Sequence, residues 1–279
     1  MTTRPAAASS DHDIPLRKPN LEFDASIRRH WMNGNAFATH FFNGLNLVFP
    51  DGERFFVKAV HDHLGRIGDP VLLRQAKEFA AQEGQHANQH EKYFDCLRAQ
   101  GYEIDPYLRR FHHFMTWTNR WIPASLRLSI TAGAEHYTAV LGAGAIEEFD
   151  LLADADPTMR KLIVWHATEE IEHKAVAFDV LRATNPSYVL RITGFLIATV
   201  ALFGWPFAGT RMLLRQDGIS RDDVASQRKL ALARDRGRGL ARIRAGVRAY
   251  FRRDFHPNEQ DHLELARRRL GELMPQFAS

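Results

Sequence analysis

Cysteine is almost absent from this chain: Cys96 is the single one among 279 residues. No internal disulfide is available, no CxxC pair exists for zinc or thiol exchange, and one thiol fits a reducing compartment. Glycine-rich phosphate loops and the GxSxG nucleophile elbow are missing as well, which removes two common routes to nucleotide binding and serine hydrolysis. β-Branched runs bounded by hairpin turns are missing, so nothing argues for a sheet. No internal repeat is visible. Net charge is slight: 37 Lys and Arg stand against 33 Asp and Glu. The stretch "MTTRPAAASSDHDIPLRKPN" has no apolar core of a signal peptide, and residues 1–22 read as a mobile leader.

What is present is helix punctuation. Asp69-Pro70, Asp105-Pro106 and Asp156-Pro157 each set an N-cap acid before a proline suited to the first helical turn. The first pair opens a long segment that runs to Gly101, a C′ candidate. The third opens "PTMRKLIVWHATEEIEHKAVAFDVLRAT", ending at Asn185-Pro186. "PASLRLSITAGAEHYTAVLGAGAIEEFDLLA", from about Pro123 to Ala153, and a shorter stretch from Asp51 also carry helical spacing. The expectation is an all-α protein: a four-helix bundle over residues 23–187, a hydrophobic helix over 188–215, and a basic amphipathic tail over 216–279.

The acids and histidines of these helices form a pattern. One helix offers Glu53, the next Glu83 and His86, the next Glu135, and the last Glu170 and His173. Each E-x-x-H pair spans about one turn, so its two side chains leave the helix on the same side. One Glu from each of two helices plus E-x-x-H from each of two others is the donor set of ferritin-like di-metal carboxylate bundles. Carboxylates neutralise two mutually repelling cations, and the imidazoles add borderline nitrogen donors suited to iron or manganese. A single E-x-x-H reads most simply as a surface accident; the ordered set of four does not.

"WHATEEIEHK", residues 165–174, adds further groups. At about 100° per residue, His166 lies near the face of Glu170 and His173, either as a third imidazole donor or as a satisfied core histidine. His90, two turns beyond Glu83, is a rival donor but reads better as a neighbour of one, or as a surface residue. Glu169 is placed to hydrogen-bond a ligand imidazole. Glu172 is off the face and reads as solvated.

At these residues the chain resembles the bacterial "predicted metal-dependent hydrolase" family, through "FPDGERFFV", "QEGQH", "TAGAEHYTA" and "WHATEEIEHKAVAFDV". The resemblance covers roughly residues 25–215 and implies a ferritin-like fold. The H-x-x-x-E-x-x-H arrangement is also similar to that of di-iron arylamine N-oxygenases. That likeness implies a donor set of Glu53, Glu83, His86, Glu135, Glu170 and His173 with His166 as the third histidine.

An oxygen-rich, histidine-poor site suits two iron ions, with manganese or zinc as alternatives. The first expectation is an oxidoreductase that uses dioxygen on a small apolar substrate, with electrons from a reductase or the substrate itself. A hydrolase using metal-activated water and a non-enzymatic, membrane-associated helical protein are the alternatives. No residue is singled out as catalytic beyond metal binding.

Residues 192–210, "ITGFLIATVALFGWPFAGT", carry no charge, and their length meets the criterion for a membrane span. Gly204-Trp205-Pro206 would break the helix near its end. Residues 228–253 then hold ten Arg or Lys against Asp235 alone. The expectation is a segment that dips into a membrane, packs as a core helix or makes a homodimer contact, with the tail on anionic lipid. This places the chain in the cytoplasm, peripheral on the inner membrane. Nucleic acid is disfavoured as a partner, because no reading motif accompanies the basic residues.

Overall fold

A computed structural model describes residues 12–278. Among them the helices are α1 (Ala36–Asn46), α2 (Phe49–His61), α3 (Pro70–Ala99), α4 (Asp105–Trp121), α5 (Ala124–Glu147), α6 (Pro157–His173), α7 (Val176–Thr184), α8 (Tyr188–Gln216), α9 (Arg221–Asp235), α10 (Arg238–Tyr250) and α11 (Leu263–Leu273). No strand occurs among the described residues. The fold is all-α, as the helical spacing requires.

Two of the three Asp-Pro pairs act as expected. Asp69 accepts from the Val71 amide, and Asp156 from the Thr158 and Met159 amides, with proline following in each case. Asp105 instead sits inside the first turn of α4 and pairs with Arg98. At the end of α3, Gly101 takes φ +88°, with Tyr102 N–H on the Leu97 carbonyl and Gly101 N–H on that of Arg98. These are the two bonds of a Schellman stop.

The bundle pairs α2 with α3 and α5 with α6, and contacts of α2 with α5 and of α3 with α6 close it. The stretch expected as one helix to Asn185 is two: α6 ends at His173, and α7 restarts at Val176 after a turn in which Lys174 donates to the Gln260 carbonyl.

α8 departs from expectation at Pro206. Pro206 does not end it; the helix runs ten residues further, to Gln216. Around the proline, Tyr107 donates to the Trp205 carbonyl at 2.7 Å and Thr210 to the Pro206 carbonyl at 2.8 Å. One side lies against α1 and α5, where a Cβ at Gly44 would strike the Pro206 carbonyl and one at Gly133 would stand 2.8 Å from Phe195 Cα. The opposite side, with Val189, Leu196, Val200 and Phe207, is exposed. α8 is long and apolar enough to cross a membrane by length and composition.

The expected leader needs correction over its second half. Residues 1–11 lie outside the described residues, but Ile14, Arg17 and Leu21 are buried. Arg17 reaches acids of α6, and Gln82 of α3 donates to the Pro15 carbonyl. The basic stretch, for its part, spends some of its charge internally: Arg242 meets Glu147 and Glu148, and Arg238 meets Glu148.

Candidate metal centre

The four bundle helices bring all seven sequence-predicted residues together in the interior. Glu53 comes from α2, Glu83 and His86 from α3, Glu135 from α5, and His166, Glu170 and His173 from α6. Each is buried, none more than 6% exposed. His173 Nε2 lies 3.1 Å from Glu83 Oε1, 3.3 Å from Glu135 Oε2 and 3.6 Å from Glu170 Oε2. His86 Nδ1 lies 3.6 Å from Glu170 Oε1 and 3.9 Å from Glu83 Oε2. His166 Nε2 lies 2.8 Å from Glu170 Oε1 and 3.8 Å from Glu53 Oε1. Glu83 and Glu170 occupy the middle, within reach of both E-x-x-H histidines.

These atoms are close, yet most make no hydrogen bond. Both carboxylate oxygens of Glu53, Glu83 and Glu135 lack a partner, as do Glu170 Oε2, His86 Nδ1 and His173 Nε2. Buried polar atoms are nearly always satisfied, so a convergent group of orphans marks a place for a cation. Three overlapping groups can each hold an ion: Glu53 with His86 and His166, Glu83 with Glu135 and His173, and Glu83 with His86 and Glu170. Four ionised carboxylates carry the charge that balances two divalent cations.

Titration follows the same logic. Burial, then Glu83, Glu170 and Glu135, push Glu53 well above the usual carboxylate range. Burial and Glu135 do the same to Glu83, and Glu135 is pushed up to about 7 by burial and Glu170. For Glu170, burial opposes ionisation, but His173 and His166 outweigh it and hold the carboxyl well below its ordinary value. Burial likewise opposes charge on His173, yet Glu170, Glu135 and Glu83 raise it well above an ordinary imidazole. Burial, with His166 beside it, pulls His86 down. Carboxylates left to repel one another in a dry interior need a counter-charge, and metal ions would supply it.

A family model described as "Predicted metal-dependent hydrolase" matches residues 15–261. The chain belongs to that family. No curated protein and no solved structure matches the chain. The family match takes in the seven clustered residues and continues through α8, α9 and α10.

Neighbouring side chains orient each imidazole of the cluster. His86 turns Nδ1 to the cluster while its Nε2 meets Glu169 Oε2 at 3.0 Å. His173 does the reverse, with Nδ1 on Gln82 Oε1 at 2.9 Å and Nε2 inward. His166 Nδ1 meets His90 Nε2 at 2.7 Å, leaving Nε2 for Glu170 and Glu53. Such outer partners set the tautomer and the ring plane. His90 is thus fully buried behind His166, not at the surface.

Glu169 also accepts from Trp165 Nε1 and Arg17 Nη1; burial pushes it up to about 8 against the pull of Arg17. Glu172, expected to face water, is 1% exposed. A helix face that points away from the metal cluster is not a solvated face here, because the leader and α11 cover it. Arg17 binds both Glu172 oxygens, at 2.6 and 2.8 Å, and Arg267 binds one at 2.9 Å. Burial disfavours its charge, but the two guanidiniums hold Glu172 below the ordinary range.

Gln82, Trp165 and Arg17 escaped the sequence reading. Gln82 has a local signal in standing directly before Glu83 of the E-x-x-H pair; Arg17, far away in sequence, has none. A second cluster, His30, His40 and Asp217, also has donor atoms within 4.8 Å of one another. There Asp217 accepts from His30 at 2.7 Å, His40 at 2.6 Å, Tyr102 at 2.7 Å and Arg29 at 2.8 Å. Its carboxylate is saturated, and the cluster is a hydrogen-bonded clamp on the end of α8.

Proposed function

We propose that this chain is a binuclear metal enzyme, iron-loaded in its native state, that uses dioxygen to oxidise a small apolar organic substrate. The observation that carries the reading is the set of unpartnered carboxylate and imidazole atoms beside an apolar cavity. Carboxylates joined to E-x-x-H imidazoles are the donor set of di-iron carboxylate bundles, and bound iron would supply the electron transfer to dioxygen. Glu53, Glu83, Glu135 and Glu170 would hold the ions, with His86 through Nδ1 and His166 and His173 through Nε2. Glu169, Gln82 and His90 keep those nitrogens aimed. A cavity of about 90 Å³ ends on Glu53 and is otherwise lined by residues such as Phe55, Phe111, Met115 and Ile130, which exclude water. Electrons would come from a reductase or from the substrate.

Hydrolysis is the second reading, favoured by the family's description. It needs a carboxylate free to take a proton from water. Around this cluster, Glu169 is engaged by Trp165, His86 and Arg17, and Glu172 by Arg17 and Arg267. The other four acids belong to the donor set, which leaves oxidation the better fit.

The test is elemental analysis of protein purified without chelators, with optical spectra and oxygen uptake on adding air to the reduced protein. Two irons per chain with oxygen-dependent absorption are expected. Ester or amide hydrolysis by zinc-loaded protein, with no oxygen uptake by the iron form, would overturn it.

A further inference from the structure

The cavity that ends on Glu53 has a counterpart. A second one, also about 90 Å³, is lined by Leu45, Leu162, Ile163, His90, His166 and Glu170. The first lies among α2, α4, α5 and α8 and reaches the surface at Ile197, 39% exposed. The second lies among α1, α3, α5 and α6. Phe49 and Thr138 line both. The Phe49 ring stands 4.8 Å from the His90 ring and 4.8 Å from the His166 ring of the second compartment, and because it also lines the first it forms a shared wall between them. Each compartment therefore meets the metal donors from its own side: Glu53 in one, His166 and Glu170 in the other.

We propose that the two compartments are one substrate site divided by Phe49, and that its ligand is an unbranched alkyl chain entering between α4 and α8. The proposal rests on the apolar-substrate reading above and narrows it. Size decides the class. A dry cavity of ~150 Å³ accepts benzene; each compartment alone is smaller, while the two joined exceed that volume. A ring is therefore the poorer fit to either half, whereas a chain one methylene wide fits the first. Apart from Glu53, the first compartment offers no ionisable group to a ligand. The polar end of an amphiphile would therefore stay at the Ile197 mouth while the chain points at the donors. Phe49 sets how far the chain reaches.

The experiment is calorimetric titration of the full-length, metal-loaded protein with straight-chain 1-alkanols from butanol to decanol, and with cyclohexanol. Affinity should rise about fourfold per methylene, the fold-change corresponding to about 0.8 kcal/mol for each buried CH₂, and then level off. Phe49→Ala should move the plateau to longer chains and admit cyclohexanol. Phe49→Leu, a milder change that keeps an apolar side chain, should shift the plateau in the same direction. Ala201→Phe, at the lining of the first compartment, should abolish binding. Affinity independent of chain length, cyclohexanol bound as well as hexanol by the wild type, or no shift in either Phe49 variant would overturn the proposal. Binding needs no turnover, so the two readings fail separately. Graded alkanol binding without oxygen uptake sinks only the oxidase, and oxygen uptake with ungraded binding sinks only the alkyl-chain site.

Discussion

Replacing Arg17 by alanine tests whether the segment before α1 belongs to the fold. Arg17 is 6% exposed and holds Glu172 with two short bonds and Glu169 with one of 3.3 Å. Removing one partner of a buried ion pair costs about 3–5 kcal/mol, because the other charge is left uncompensated. Here compensation is partial: Glu172 keeps Arg267 at 2.9 Å and Gln82 at 3.2 Å, and Glu169 keeps Trp165 and His86. The loss should therefore lie near the lower end, about 3 kcal/mol. At roughly 2–4 °C per kcal/mol for a domain of this size, the melting temperature should fall by about 6–12 °C. Thermal unfolding followed by circular dichroism, on metal-free protein at pH 7, reads it directly. A double-mutant cycle with Glu172→Gln should return a coupling of more than about 1 kcal/mol, as contacting residues do. Metal affinity should drop too, by no more than about tenfold, since Arg17 reaches His86 only through Glu169. A melting temperature within about 1 °C of wild type would mean that residues 12–22 do not dock, and the packing described above would be wrong.

Asp217→Asn should destabilise the protein by about 1.5–3 kcal/mol at pH 7, the range for hydrogen bonds to a charged group. Burial opposes the Asp217 charge, but His40, His30 and Tyr102 hold its carboxyl far below the ordinary value. A depressed acid stabilises the fold above its unfolded pKa of about 4 and loses that contribution as pH falls through the folded value. Denaturant midpoints should thus differ at pH 7 and converge as pH falls below about 4; a gap as wide at pH 3 as at pH 7 would refute it. Chelation should lower the melting temperature, because a metal at a thousandfold its dissociation constant adds about 4 kcal/mol. Glu83→Ala with Glu170→Ala should erase that metal-dependent shift, and a double variant that keeps it would disprove the assigned donors. Gly44→Ala should cost at least the 1–3 kcal/mol of overpacking, since the new Cβ would meet both the Pro206 carbonyl and Thr210 Oγ1. Unchanged stability would show that α1 and α8 are further apart than described.

Much of the cluster was legible because its donors recur at helical spacing. Glu83 with His86 and Glu170 with His173 are each three apart, and spacing alone puts each pair on one side of a helix. The Asp-Pro starts at Asp69 and Asp156 and the stop at Gly101 were legible for the same reason: caps are local, made within a few residues of chain. Failures came where distant segments decide the environment. Glu172 reads as solvated on its own helix, and Arg17 and Arg267, 155 and 95 residues away in sequence, bury it. Pro206 reads as a helix end, and contacts with α1 and Tyr107 carry α8 past it.

The sequence by itself determined the helical class, the four helices that bear the donors, and the donor types suited to a metal pair. These follow from short-range periodicity and side-chain chemistry, which need no knowledge of neighbours. Only the tertiary structure decided which nitrogen of each imidazole faces the cluster, that His166 turns inward with His90 behind it, and that two apolar compartments meet at Phe49. Those features depend on side chains from separate helices meeting at hydrogen-bond and van der Waals range. No pattern along a single helix specifies which residue of another will stand against it.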